Sequence, residues 1–273
     1  MKPAIKVIGV PNDINSSFMR GSSAAPPLIR EALFSASSNL FSESGLDLDQ
    51  IGIWEDLGDI EFSGEIEEES FKKIKTFVKD ILASDQKLVS LGGDHSVSWP
   101  ILDAHLDIWD ALDILHIDAH PDLYDSLLDN KLSHASPFAR VMETGRVNRL
   151  VQIGIRTLNK HQREQAEKFE VEMYQMKDLS KLSSLSFSKP VYCSIDIDAL
   201  DPAYAPGVSH FEPGGLSTRQ AIDYITGFKG RLIGADIVEY NPTRDFHNLT
   251  AMVAAKLLKE VIARIYRDNI KKD

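Results

Sequence analysis

The chain has 273 residues, 43% of them hydrophobic and 26% charged, which are ordinary values for a globular protein with a sizeable core. Its formal net charge is −11 and no cluster of Lys and Arg forms a basic face, so a nucleic-acid partner is not expected. Cys193 is the single cysteine and cannot form an intramolecular disulfide. No apolar run reaches the roughly 20 residues of a membrane span, and the first residues carry no apolar signal segment, so we expect a soluble cytoplasmic protein without a membrane partner.

Along the chain, short apolar runs alternate with longer amphipathic stretches. The runs are typical of strands buried on both faces of a parallel sheet, and they cover residues 5–10, 87–91, 114–117, 150–155, 191–195 and 232–238. Apolar residues at helical spacing predict helices over residues 66–84, 160–169, 218–226 and 250–266. We interpret residues 24–27 and 180–189 as loops too short to link domains. This order predicts an α/β fold with a mostly parallel sheet, in one domain over residues 1–273.

Three of these strands end in clusters of acidic or histidine residues. We expect the clusters to converge, because ligand sites lie outside the carboxyl ends of parallel strands. The first cluster is Gly92-Gly93-Asp94-His95-Ser96, where the glycine pair allows a tight departure from the strand that presents His95 to a site. The alternative is a loop histidine after an ordinary turn, and this cluster alone does not exclude it.

The second cluster is Asp118-Ala119-His120-Pro121-Asp122. If the extended conformation persists, Asp118, His120 and Asp122 share one side, because strand side chains alternate with period two. Two carboxylates so close together repel each other unless a cation or a raised pKa intervenes. We therefore favour a metal site here, with a solvated acidic loop as the alternative.

The third cluster follows the apolar run at residues 191–195. Asp196 and Asp198 again lie two positions apart, and a carboxylate flanked by isoleucines, as Asp196 is, needs a partner. The alternative for Asp198 is a turn or capping role, and for Asp201 we prefer that role.

A fourth segment, Asp103-Ala104-His105-Leu106-Asp107, has the same residue pattern as the second cluster, with only the fourth residue different. It follows the first cluster at the expected start of a helix, where positions i and i+2 point to different faces. Asp103, His105 and Asp107 are therefore not expected to converge, and we interpret the segment as a surface helix.

The combined set contains two histidines and four carboxylates: His95, Asp118, His120, Asp122, Asp196 and Asp198. Hard oxygen ligands without a thiolate favour Mn²⁺ over zinc or copper. Six ligands exceed what one catalytic ion with an open position needs, so two ions that share carboxylates suit the set better.

Two residues outside the clusters also point to chemistry. His134 follows the second cluster by a short loop, and a histidine near a metal centre is suited to shuttling protons. Glu239 ends the apolar run at residues 232–238, where a carboxylate is able to pair with a planar guanidinium. The alternatives are an ordinary loop histidine and a helix or turn cap.

The ordered motifs resemble the ureohydrolase family of arginases and agmatinases. The resemblance is carried by the three clusters in the same order, followed by Glu239. Further matches near both ends extend it over nearly the whole chain, at Ile8-Gly9-Val10-Pro11, Arg20-Gly21 and Thr250-Ala251-Met252-Val253-Ala254.

The resemblance implies that two Mn²⁺ ions are bound. One ion would be held by His95, Asp118, Asp122 and Asp196, and the other by His120, Asp118, Asp196 and Asp198. A hydroxide between the ions would attack the guanidino carbon, with Asp122 as part of the catalytic set. Glu239 would bind the guanidinium, and His134 would contact the substrate and pass a proton to the departing amine. The family fold is a three-layer α/β/α sandwich around a mostly parallel eight-stranded sheet, assembled as a homo-oligomer, a trimer or a hexamer.

Within the family, the segments at residues 133–140, 212–217 and 239–245 look most like the plant-type and related bacterial arginases, which favours L-arginine as the substrate. Residues 155–159 replace the acidic segment with which animal enzymes read the amino-acid end of arginine, and Asn159 is the candidate for that contact. Agmatine or guanidinobutyrate is the close alternative, and a formimidoylglutamase is less favoured. A zinc deacetylase of related topology should lack the full second ligand set, and a non-catalytic relative should have lost a ligand.

Overall fold

The computed structural model describes residues 4–182 and 184–269, and this part of the chain folds around one eight-stranded sheet. The strands are β1 (Ile5–Val10), β2 (Trp54–Asp59), β3 (Lys87–Gly92), β4 (Leu112–Ile117), β5 (Val147–Ile155), β6 (Glu172–Gln175), β7 (Val191–Asp196) and β8 (Leu232–Val238). Their order across the sheet is β2-β1-β3-β8-β7-β4-β5-β6. Every pairing between these strands is parallel, which confirms the predicted sheet.

The helices of the described residues cover both faces of the sheet. On one face lie α1 (Ala25–Leu33), α6 (Thr218–Gly227) and α7 (Leu249–Asn269). On the other lie α2 (Glu67–Leu82), α3 (Ser98–Ile108), α4 (Pro137–Glu143) and α5 (Lys160–Lys168). The predicted three-layer α/β/α sandwich is confirmed. Among these helices, none is both long and apolar enough to cross a membrane.

The two faces of the sheet explain the continuous apolar runs. In β3, Leu88 packs into the core beneath α2 and α3, whereas Val89 and Leu91 pack into the core beneath α1 and α7. Successive strand side chains point to opposite faces, and helices cover both, so every position is buried. The six strands predicted from apolar runs are confirmed for this reason.

The two strands that the sequence analysis missed are the edges of the sheet. β2 reads Trp54-Glu55-Asp56-Leu57-Gly58-Asp59, and most of its side chains are exposed. The short strand β6 is half-buried throughout. Edge strands carry charged residues that discourage pairing with another chain, so they show no continuous apolar run.

The prediction of a loop at residues 24–27 was wrong, because α1 begins at Ala25. Pro26 and Pro27 occupy its first turn, where a proline removes no helical hydrogen bond. α4, which also begins with a proline, was not predicted either. In the second predicted loop, residue 183 lies outside the described residues, and the rest holds no α-helix.

The prediction that residues 103–107 belong to a helix is confirmed, but the prediction that the segment lies at the surface was wrong for His105. His105 lies on α3 and is fully buried, and its Nδ1 donates a 2.9 Å hydrogen bond to the Ile101 carbonyl. The imidazole faces Gly234 of β8, where a Cβ atom would approach Nε2 to 2.6 Å, so the glycine makes room for the ring. Burial lowers the pKa of His105 to about 4.

Because His105 is buried with a lowered pKa, we expect the free energy of unfolding to decrease in acid. Between pH 6.5 and about 4 the unfolded chain binds a proton at this residue that the folded chain does not, so the free energy of unfolding falls as pH falls. Between pH 7.5 and 4.5, the free energy of unfolding should fall by about 2–3 kcal/mol less in the His105→Gln variant than in the parent protein. Urea unfolding of both proteins with a chelator present measures this, and equal losses would contradict the prediction.

Candidate metal centre

The three acidic and histidine clusters meet at the carboxyl end of the sheet, as predicted. They follow β3, β4 and β7, which with β8 form the centre of the sheet in the order β3-β8-β7-β4. Glu239 follows β8 directly, and its backbone N–H donates to the Gly93 carbonyl at 2.9 Å. Four neighbouring strand ends therefore contribute to one site.

The first group of side chains surrounds His95. The Nδ1 atom of His95 lies 3.2 Å from Asp118 Oδ2, 3.0 Å from Asp122 Oδ2 and 3.2 Å from Asp196 Oδ2. All four residues are buried. Three carboxylate oxygens thus converge on one imidazole nitrogen.

The second group surrounds His120 on the more accessible side of the site. The Nδ1 atom of His120 lies 3.0 Å from Asp198 Oδ2 and 3.5 Å from Asp118 Oδ1. Asp118 therefore turns one carboxylate oxygen toward each histidine. Asp118, His120 and Asp198 are close enough together to hold one ion.

These residues fit a bound cation. The Nδ1 atom of His95 is completely buried and makes no hydrogen bond with any residue that the structure describes, which is costly for an imidazole unless another partner occupies the space. Burial raises the pKa of Asp196 well above its usual value, and the charges of Asp198 and Asp118 raise it further. A metal ion among these oxygens supplies the positive charge that the cluster needs to stay ionised.

Outer hydrogen bonds fix two of the candidate ligands. Gln152 Nε2 donates to His116 Nδ1 at 3.0 Å, which leaves the His116 proton on Nε2 to donate to Asp118 Oδ2 at 2.7 Å. On the other side, His95 Nε2 lies 3.0 Å from Ser194 Oγ, whose hydroxyl is 2.6 Å from Asp236 Oδ1. Such contacts orient metal ligands and tune their basicity.

The convergence of the second cluster was predicted correctly, but the reason was wrong. β4 ends at Ile117, so Asp118, His120 and Asp122 lie beyond the regular strand. Asp122 has a φ of 50°, in the left-handed region, and this turn brings its carboxylate back toward His95. Asp198 likewise lies in a 3₁₀ turn after β7, so alternation along a strand does not bring it near Asp196.

Glu239 and His134 form a pair beside the carboxylate cluster. Glu239 Oε1 accepts a 2.9 Å hydrogen bond from the His95 backbone N–H and lies 3.2 Å from His134 Nδ1. Glu239 has a φ of 63°, and strained backbone of this kind is typical of functional sites. Burial opposes protonation of His134, but Glu239 outweighs it and raises the pKa of His134 to about 9.

A cavity of about 220 Å³ opens onto this cluster. His120, Asp122, Asp196, Asp198, His134 and Glu239 all line it. The cavity is also lined by four residues that the sequence analysis did not single out, Ser17, Thr157, Gln162 and His210. Three of them lie on connections, whereas Gln162 lies on α5. None belongs to a motif with a metal-ligand pattern, so no sequence signal marked them.

Asn159 is exposed and is not among the residues that line the cavity. It caps α5, where its Oδ1 accepts from the Gln162 backbone N–H at 2.9 Å, and its Nδ2 donates to the Tyr124 hydroxyl. Tyr124 itself lines the cavity. Asn159 thus reaches the cavity through Tyr124, and its predicted contact with substrate stays a prediction.

Comparisons with known proteins agree on one family. The model of the Arginase family matches residues 3–263. Arginase 1, mitochondrial, of Oryza sativa subsp. indica is 44% identical over 280 residues, which cover 97% of this chain and 82% of the rice protein. The solved structure of the arginase from Medicago truncatula has a TM-score of 0.93 at 42% identity and covers 96% of this chain and 87% of that chain. The agmatinase of Bacillus cereus is 33% identical, over 94% of this chain and 90% of that protein.

The family model covers far more than half of the chain, and the rice relative covers nearly all of it. Both findings agree with the fold and with the order of the three clusters along the sequence. The protein belongs to the arginase family and is a hydrolase of the ureohydrolase type.

Proposed function

We propose that the protein is an arginase that hydrolyses L-arginine to L-ornithine and urea. The observation that carries this proposal is the buried carboxylate cluster around His95, placed directly beside the Glu239–His134 pair. The carboxylate cluster is suited to binding the metal that the hydrolysis needs, and the Glu239 carboxylate is suited to binding the cationic guanidinium. The plant arginases are also more similar to this chain than the agmatinase is, at 44% against 33% identity.

The proposed cofactor is a pair of Mn²⁺ ions. His95, Asp118, Asp122 and Asp196 would hold one ion, and His120, Asp118, Asp196 and Asp198 the other. Four carboxylates with only two imidazoles favour manganese, because hard oxygen ligands suit it better than they suit zinc or copper. When bound, the two ions supply Lewis-acid chemistry that activates water at neutral pH.

The chain's own residues bind and orient the substrate. Burial would raise the pKa of Glu239, but His134 and the His95 backbone N–H outweigh burial and lower it, so the carboxylate is ionised. Its contacts with His95 and His134 both use Oε1, which leaves Oε2 to accept from the guanidinium. Burial opposes protonation of His134, but its pairing with Glu239 raises its pKa to about 9, which favours a protonated ring that would donate a proton to the departing amine.

Urea release from L-arginine and from agmatine, assayed side by side with Mn²⁺-loaded protein, tests the substrate. We expect a clear preference for arginine in kcat/KM. A preference for agmatine would keep the metal site but overturn the substrate, and guanidinobutyrate belongs in the same assay. If none of these releases urea, formimidoylglutamate is the next compound to assay, and the arginase proposal fails.

The assembly and location of the protein are further parts of the proposal. We infer one domain over residues 1–273 that assembles as a trimer or hexamer and works in the cytoplasm. The resemblance to the family supports the assembly, and light scattering on the purified protein measures it. The named plant relative is mitochondrial, so cell fractionation is the test of location.

A further inference from the structure

Hydrogen bonds of Asn15 connect the loop after β1 to the loops that carry His95 and His134. Asn15 is buried, its backbone N–H donates to Asp94 Oδ2 at 3.0 Å, and its Nδ2 donates to Ser96 Oγ at 3.1 Å. The Asn15 carbonyl accepts from the His134 backbone N–H at 3.3 Å. These bonds hold the following residues, including the exposed Ser17, at the mouth of the cavity.

Ser17 contacts the catalytic pair through His134. Its Oγ lies 2.8 Å from His134 Nε2, while His134 Nδ1 faces the Glu239 carboxylate at 3.2 Å. A carboxylate only accepts hydrogen bonds, so the Nδ1 atom carries a proton in both charge states of the ring. In the neutral ring the Ser17 hydroxyl donates to Nε2, and in the protonated ring Nε2 donates to Ser17 Oγ.

The rest of the His134 ring is enclosed. The ring of His210 stacks on it with centroids 5.5 Å apart and an interplanar angle of 16°. Phe18 packs against His210 from the same loop as Ser17, with ring centroids 5.6 Å apart. Of the two ring nitrogens, Nδ1 therefore meets a buried carboxylate, whereas Nε2 meets a hydroxyl that reaches solvent.

We propose that Ser17 is a positioning residue that relays protons between His134 and solvent. This inference rests on the proposed function, in which His134 gives its Nε2 proton to the departing amine. The neutral ring is then recharged when the hydroxyl proton of Ser17 moves to Nε2 and a hydronium ion in the cavity mouth returns a proton to Ser17 Oγ. One proton passes from solvent to the imidazole, and the serine is unchanged.

The test compares Ser17→Ala and Ser17→Thr with the parent protein loaded with Mn²⁺. Loss of one hydrogen bond to His134 should lower kcat of the alanine variant about tenfold and leave KM within about twofold. The threonine variant keeps a hydroxyl and should recover most of the lost kcat. Free imidazole in the assay buffer should partly restore kcat of the alanine variant by supplying the proton. Ser126→Ala is the matched control, because Ser126 lies in another loop and does not line the cavity.

Three results would overturn the relay. They are an unchanged kcat in Ser17→Ala, an increase confined to KM, and a loss of kcat that neither threonine nor imidazole restores. A second measurement does not depend on the substrate. The ¹⁵N resonance of His134 Nε2 should shift in Ser17→Ala and return toward the parent value in Ser17→Thr. A protein that shows this shift but releases no urea would refute the proposed function and leave the contact intact, whereas an unshifted resonance would refute the contact.

Discussion

The Asp196→Asn variant should lose bound manganese and urea-forming activity together. Asp196 Oδ2 is one of the three carboxylate oxygens around His95 Nδ1, and Asp196 is one of the two residues, with Asp118, that are proposed to contact both ions. An amide of the same size removes one negative charge and turns a donor toward part of the site. Because metal ions contribute several kcal/mol to such reactions, we expect kcat to fall by at least about a thousandfold.

Metal content after dialysis, measured by elemental analysis, and urea release are the two readouts for Asp196→Asn. Asp201→Asn is the matched control, because Asp201 lies in the connection that follows Asp196 and β7. Asp201 accepts from the backbone N–H groups of Ala203, Gly214 and Gly215, which is the turn role expected of it, and the control should keep its metal. If Asp196→Asn kept two ions per chain, the assignment of Asp196 as a ligand would be wrong.

The Glu239→Gln variant should keep both ions and still lose most of its activity. The substitution removes the charge that pairs with the guanidinium and that raises the pKa of His134. Truncating one partner of a buried charge pair costs about 2–5 kcal/mol, which corresponds to a loss of roughly 30-fold to several thousandfold in kcat/KM. Elemental analysis gives the metal content, and steady-state kinetics give the loss.

Glu212→Gln is the control for the general effect of a negative charge near the site. Glu212 Oε1 lies 3.9 Å from His120 Nε2 and is half-exposed, so the pair is weak and we expect a change of less than about threefold. Full activity in Glu239→Gln would refute the guanidinium assignment. Equal losses in both variants would mean that Glu239 acts only through the field of the site.

The sequence was sufficient to predict the central strands and the candidate ligands because both follow simple patterns. Strands such as β3 are buried on both faces and appear as unbroken apolar runs, and each metal motif follows such a run. The edge strand β2 shows no such run, because solvent covers much of it. The start of α1 was hidden because Pro26 and Pro27 are typical of turns as well as of first helical turns.

The remaining parts of the site depend on tertiary contacts. No pattern near Ser17 in the sequence predicts its contact with His134, since the two residues are 117 positions apart. They meet only because hydrogen bonds hold their loops together in the fold. His210 is likewise a loop histidine until the fold stacks it on His134. For His105 the sequence predicted exposure where the structure shows burial. Charged residues lie two positions before and after it, yet its ring is buried against Gly234.

The candidate metal ligands lie at the strand ends, whereas much of the cavity lining lies on the connections beyond them. The residues that would bind metal and those that would select the substrate are therefore on different parts of the fold. The candidate ligands sit on or just past the strand ends, whereas Tyr124, Thr157 and His210 lie on connections that line the cavity. Connections tolerate replacement and insertion far better than packed strands do. A lineage that began with one guanidino compound is therefore able to change to another by exchanging these cavity-lining residues while the candidate metal ligands stay unchanged. Directed evolution toward a new guanidino nitrogen source should concentrate its library on these connections.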